Sequence, residues 1–329
     1  MKQRSVYLDL IRIVACFMVI MMHSPKPLSE GLYSPMLGIV SYLSTPCNGL
    51  FFMANGALLF GGGLPFGAFM KKRLGRIVCP TVAWSLFYIL LNTLQQGGGI
   101  CELANQLAWI PFYRTDACGY LWFMYALLGC YFLVPIIEPW LMKVTRKELE
   151  IILGLWLVVS IIPLITVYLN VGGIDESSSW YYFSGFFGYF LLGWYASKYS
   201  IRWKQVGIAA MISVVFMGIR YKQSKLPVDI NCYLHPYVIM YCFVIFVSIK
   251  KLFYGYNKHC NIIATLSGCT FGVYLIHSLL LNTWLKHSDT ICALPIELGI
   301  FAHWAITVIV GFSIILVLRK IPGHKYLIG

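Results

Sequence analysis

The sequence predicts an all-α polytopic membrane protein of about ten transmembrane helices, with both termini cytoplasmic. Of its 329 residues 59% are hydrophobic and only 11% charged, against roughly 25% charged in soluble proteins. Mean hydropathy is +0.75. The basic residues fall in short clusters between apolar runs, among them Lys71-Lys72-Arg73 with Arg76, Lys143 with Arg146 and Lys147, and Lys250-Lys251. A net charge of +13 spread in this way is an orientation signal in a bilayer. Nucleic-acid binding needs a contiguous basic face, and none is present. Twelve acids are too few to solvate an ordinary globular surface, which excludes a soluble enzyme, and the hydrophobic content excludes intrinsic disorder.

A spanning helix needs about 20 mostly apolar residues. Such runs occupy 8–24, 38–60, 77–95, 119–141, 149–170, 181–197, 205–219, 232–249, 262–285 and 296–318. The first continues too far for a cleaved signal peptide and reads as a retained helix. The second carries Pro46, Asn48, Asn55 and several glycines, so a bend or break is expected there. A basic loop at Lys71–Arg76 precedes the third, and Lys143, Arg146 and Lys147 separate the fourth from the fifth. The seventh is the shortest and is followed by Arg220, Lys222 and Lys225. The eighth stops at Lys250-Lys251, and the tenth at Arg319-Lys320. Ten crossings place both termini on one side. If that side is cytoplasmic, inner segments hold 18 basic residues and outer segments six, with Arg12 inside the first span. This bias fits the plasma (inner) membrane and the positive-inside rule. Residues 1–329 read as one membrane-embedded domain without a separate soluble domain.

Cys16, Cys79, Cys130, Cys242 and Cys269 lie in spans as packing residues. Cys47, Cys101, Cys118, Cys232 and Cys292 fall near the outer side, and Cys101–Cys118 is the bridge expected there. No spacing has the form of a zinc site, so no metal is expected.

Ionisable groups inside a span mark a functional pathway by default. The first run holds Asp9, Arg12 and His23. Eleven residues at 100° bring His23 to within about 20° of the Arg12 face, with a rise of about 16 Å. Asp9 lies one turn before Arg12, where it can neutralise it. Imidazole titrates near neutral pH and suits proton abstraction.

The stretch Tyr7-Leu-Asp-Leu-Ile-Arg12-Ile-Val-Ala15, followed by His23, resembles the N-terminal signature of the acyltransferase-3 family. There a first-helix arginine is followed eleven positions later by a histidine. Leu50-Phe-Phe-Met-Ala-Asn-Gly56 resembles the second-helix pattern, with Asn55 where serine is more usual. Lys72-Arg73-Leu-Gly-Arg76-Ile-Val-Cys-Pro80 is similar to the basic loop and proline opening the third helix. Leu121-Trp122-Phe123-Met-Tyr125 with Pro135 resembles the fourth, Tyr120 standing where histidine is common. Thr270-Phe271-Gly272-Val-Tyr274-Leu-Ile-His277 resembles a late helix motif.

The resemblance implies transfer of an acyl group, usually acetyl from acetyl-CoA, to a carbohydrate or lipid-linked glycan hydroxyl, with acyl-CoA as donor substrate and no permanently bound cofactor. On that reading His23 is the general base, Arg12 holds a CoA phosphate or the developing oxyanion, and Asp9 orients Arg12. Lys72, Arg73 and Arg76 meet the CoA phosphates. Trp122, Tyr125, Tyr274 and His277 are candidates for lining the acceptor site. A covalent route through Cys16, which shares the Arg12–His23 face, competes with direct attack. The alternative from another class is a transporter or exporter of a polysaccharide or small solute that uses the same intramembrane charges. Transporter folds usually carry internal repeats, and the Arg12–His23 arrangement does not recur in the second half.

Overall fold

The structure, a computed structural model, describes residues 5–24, 35–97, 99–112, 116–169, 183–223, 230–256, 261–284, 288, 291 and 293–329. The helices are α1 (Val6–His23), α2 (Pro35–Ser44), α3 (Cys47–Leu59), α4 (Phe66–Gln96), α5 (Ile100–Trp109), α6 (Trp122–Lys143), α7 (Arg146–Leu169), α8 (Phe187–Lys198), α9 (Trp203–Gln223), α10 (Pro236–Phe253), α11 (Asn261–Leu279) and α12 (Ile296–Leu318). A final turn covers Lys325–Ile328. Among the described residues no strand occurs. Among the described residues, nine helical segments, α2 and α3 counted together, are long and apolar enough to cross a bilayer.

The expected sixth span departs from this pattern. It forms α8, whose 12 residues rise about 18 Å, little more than half of the ~30 Å hydrocarbon core. The residues before it, 170–182, lie outside the described set. The second span breaks as its proline predicts, with Pro46 heading α3 after α2 has ended at Ser44. α3 and α8, both short, pack on each other through glycine. A Cβ on Gly56 would stand 2.1 Å from the Phe190 carbonyl oxygen, and one on Gly193 would stand 2.0 Å from the Met53 carbonyl oxygen. Each backbone therefore occupies the space a side chain would need, the close approach that small residues allow between membrane helices.

The helix ends show why the segments stop where they do. Thr145 and Glu148 form a reciprocal cap on α7, the Thr145 N–H donating to Glu148 at 2.8 Å and the Glu148 N–H to the Thr145 hydroxyl at 3.3 Å; each satisfies an otherwise orphaned donor. At the end of α8, Lys250 Nζ donates to the carbonyls of Ala196 and Ser197, both at 2.8 Å, and of Tyr199 at 3.1 Å. A cation on the last carbonyls suits the negative end of a helix dipole. Arg146 reaches Tyr195 at 3.1 Å, and Tyr7 packs edge-on against Phe246. These contacts gather the start of α1 and α7 and the ends of α8 and α10, with their basic residues, at one end of the bundle.

α4 differs from the expected loop-then-span. Its 31 residues extend about 46 Å, so Lys71–Arg76 is helical and continuous with the span. Cys101 is an exposed free thiol, which corrects the expected bridge to Cys118, whose side chain lies outside the described residues. α5 has no buried residue, and nothing in its packing brings Cys101 to a partner.

Replacing Gly193 by Ala should lower thermal stability in detergent by at least about 1–3 kcal/mol, the usual range for overpacking. Gly218→Ala, where the added Cβ meets nothing within 4 Å, should be neutral or stabilising. Equal melting temperatures for the two variants would refute the close-contact account of α3 and α8.

Candidate functional site

Two polar zones lie along α1. At its basic end is a cavity of about 320 Å³ whose lining includes four arginines, Arg12, Arg73, Arg76 and Arg319. Each comes from a different place in the fold. Arg12 stands in the second turn of α1, Arg73 and Arg76 one turn apart on α4, and Arg319 immediately after α12. Arg319 is pressed onto α11, its Nη1 donating to the Thr265 carbonyl at 3.2 Å. Gly268 makes room for it, since a Cβ there would lie 3.0 Å from Arg319 Nη1.

Asp9 is buried and accepts from the Ser267 hydroxyl at 2.6 Å. A carboxyl group at such depth needs hydrogen-bond partners, and α11 supplies one. Asn55 on α3 accepts from the Tyr131 hydroxyl at 2.8 Å, while its amide donates to the Phe51 carbonyl at 2.9 Å. Both Asn55 and Tyr131 line the cavity. The Arg73 Nε is buried with no hydrogen-bond partner among the described residues. A cavity with this many guanidinium groups favours an anion, and the planar forks suit phosphate.

The second zone is at the other end of α1. The His23 ring lies 4.9 Å from that of Tyr120, edge-on, and 5.1 Å from that of His277; Tyr120 and His277 are 5.8 Å apart. Tyr120 belongs to the turn before α6, and its oxygen accepts from Asn282 Nδ2 at 3.1 Å. Asn282 sits in a π-helical turn, Leu280–Trp284, that continues α11. The widened turn lets its amide reach both Tyr120 and the Ser278 hydroxyl, the latter at 3.0 Å. Tyr274 joins the two zones: it lines the arginine cavity, its hydroxyl donates to the Tyr120 carbonyl, and its ring lies 5.5 Å from that of His277.

The structure thus brings Arg12, Arg73, Arg76 and Tyr274 to one cavity, and His23 and His277 to one cluster. Lys72, about 100° around α4 from Arg73, is exposed and outside the cavity lining. Trp122 packs edge-on against Phe123 and tilted against Phe186 and Tyr233, and Tyr125 donates to the Ile110 carbonyl at 2.9 Å; neither lines the cavity. Cys16 is fully buried, directs its thiol to the Thr270 carbonyl at 3.7 Å and is likewise absent from the lining. Sequence reading passed over Arg319, Asn282, Ser267 and Tyr131. Arg319 counted there only as one more basic residue after a span. Tyr120 and Asn55 stand out in the sequence as departures from the resembled motifs.

The family pattern described as an acyltransferase domain, acyltransferase-3, matches residues 5–320. The chain belongs to the acyltransferase-3 family. Comparison with curated proteins and with solved structures finds no match. As an acyltransferase-3 protein with nine candidate spans among the described residues, it is a multi-pass membrane acyltransferase.

Ser267→Ala should cost about 1–3 kcal/mol by leaving a buried carboxylate short of a donor. Thermal unfolding of the detergent-solubilised protein measures it, and an unchanged midpoint would show that the Ser267 contact carries no stability.

Proposed function

We propose that the protein moves an acyl group, acetyl in the simplest case, from acyl-CoA on the cytoplasmic side to a hydroxyl of a surface carbohydrate or lipid-linked glycan. The observation that carries this reading is the pairing of an arginine cavity at one end of α1 with a histidine at the other. The Arg12–His23 rise of about 16 Å is of the order of CoA's pantetheine arm, which has phosphates at one end and the thioester at the other. On that spacing Arg12 belongs with Arg73 and Arg76 at the phosphates rather than at the oxyanion. The basic end of the bundle then faces the cytoplasm, in keeping with the positive-inside rule, and the protein resides in the inner membrane.

In the reaction, His23 takes the acceptor hydroxyl's proton as the oxygen attacks the thioester carbon. The tetrahedral intermediate expels CoA thiolate, which recovers that proton from the His23 imidazolium. An ester forms, a thioester breaks, and no further reactant is consumed. The burial of Cys16 away from the cavity supports direct attack over a thioester on the enzyme.

Inside-out vesicles given radioactive acetyl-CoA and a crude lipid-glycan extract test the reading. Label should enter the glycan fraction, and His23→Ala should reduce it by roughly 10²–10⁴-fold, the usual worth of general-base catalysis. Persistence of transfer near the original rate in that variant would remove His23 from the base's role. Absence of His23-dependent label from folded protein would favour export over acyl transfer.

Arg73→Ala and Arg76→Ala should each raise the KM for acetyl-CoA by roughly ten- to a hundredfold, the loss of one charge-assisted contact. The KM for the acceptor should stay near its starting value. An equal rise for both substrates would place these arginines outside the donor site.

A further inference from the structure

His277 is fully buried in α11, and its Nδ1 is hydrogen-bonded to the Tyr274 carbonyl. A carbonyl oxygen can only accept, so the proton of this bond belongs to Nδ1. In a neutral imidazole the other nitrogen is then a bare acceptor. That nitrogen, Nε2, is buried and has no hydrogen-bond partner among the described residues. Buried acceptors in native proteins are ordinarily satisfied, and one left open asks what donor it is kept for.

The neighbouring rings narrow the choice. The Tyr274 hydroxyl is committed to the Tyr120 carbonyl. Tyr120, whose hydroxyl oxygen accepts from Asn282, has its ring farther from that of His277, at 5.8 Å. His23 brings an imidazole N–H whose ring lies 5.1 Å from that of His277, tilted by 37°. Two imidazoles whose nitrogens share a hydrogen bond of about 2.9 Å have ring centres roughly 5 Å apart. The separation is therefore already that of a bonded pair.

We propose that His277 is the positioning residue of the base: its Nε2 receives an N–H from His23, which holds His23 in the tautomer whose opposite nitrogen meets the acceptor hydroxyl. The inference rests on the reading of His23 as the base. The resulting chain runs from the Tyr274 carbonyl through His277 to His23 and then to substrate. When His23 takes the hydroxyl proton, its N–H toward His277 becomes a charge-assisted donor, which stabilises the imidazolium. His277 keeps its own proton throughout, and the proton on His23 leaves with the CoA thiol. Among the described residues, the titratable groups whose rings flank His23 are Tyr120 from the turn before α6 and His277 from α11, with Tyr274 against the His277 ring.

The test compares His277→Leu, which removes the acceptor, with His277→Gln, which returns an acceptor oxygen near the Nε2 position. Each purified full-length variant is assayed in lipid nanodiscs with radioactive acetyl-CoA and a crude lipid-glycan extract across pH. His277→Leu should lower kcat by about tenfold or more, within the range that base positioning contributes, with donor KM nearly unchanged. Its rate should also rise at lower pH than that of the unaltered enzyme, because His23 loses the partner that favours its protonated form. His277→Gln should recover much of the rate and return the acid limb toward its original position. A folded Leu variant with unchanged kcat, or with a lower kcat and an unmoved acid limb, would overturn the proposal, as would a Gln variant no better than Leu. His23→Ala runs alongside: activity surviving there defeats the base reading itself, whereas loss there with normal His277→Leu kinetics defeats only this inference. Should His277→Leu fail to fold, nitrogen-15 spectra of histidine-labelled unaltered protein decide. An Nδ1–H tautomer with an accepting Nε2 on His277 supports the assignment, and an Nε2–H tautomer overturns it.

Discussion

A charged or strongly polar side chain inside the hydrocarbon layer must be met by a polar group from another helix, and α1 places that demand at both of its ends. α11 meets both. Ser267 donates to Asp9 near the basic end, and three turns later in α11 the His277 ring stands beside that of His23. The two helices are thereby aligned along most of their length. Everything else at the site is arranged around this pair: α4 and the end of α12 add arginines to one zone, and the turn before α6 adds Tyr120 to the other.

The close approaches in the bundle follow from the same solvent. Hydrocarbon offers little hydrophobic drive for one apolar helix to leave lipid for another, so packing contacts and small residues decide association. Gly56 and Gly193 let α3 and α8 touch backbone to backbone, and Gly268 lets a guanidinium lie flat on α11. The first contact seats α8 against α3, the helix whose Phe51 and Asn55 form part of the cavity wall. The second turns the arginine after α12 into part of that cavity. A glycine thus serves the scaffold in one place and the ligand-facing surface in the other.

Much of this was legible in the chain. Apolar run lengths mark the spans, because a bilayer requires about 20 residues per crossing whatever their tertiary partners. The Arg12–His23 stripe is likewise a property of one helix, set by 3.6 residues per turn. Pro46 foretold the break between α2 and α3, since proline heads a helix readily and interrupts one otherwise. The short α8 was not legible, because an apolar run looks the same whether it spans a membrane or fills half a bundle against another helix.

Lys72 and Arg73 show the limit at the level of side chains: adjacent in a basic cluster, they diverge once α4 continues unbroken through it, one exposed and the other in the cavity. Arg319, Asn282 and Tyr120 are far apart in sequence from the stripe they join, and no period connects them to it. By itself the sequence determined the membrane class, the helical stripe and the motifs of the family, because these depend on composition, spacing within one helix and local order. Only the tertiary structure decided which arginines share a cavity and which histidine faces His23, because those neighbours come from separate helices whose rotation and depth are set by packing.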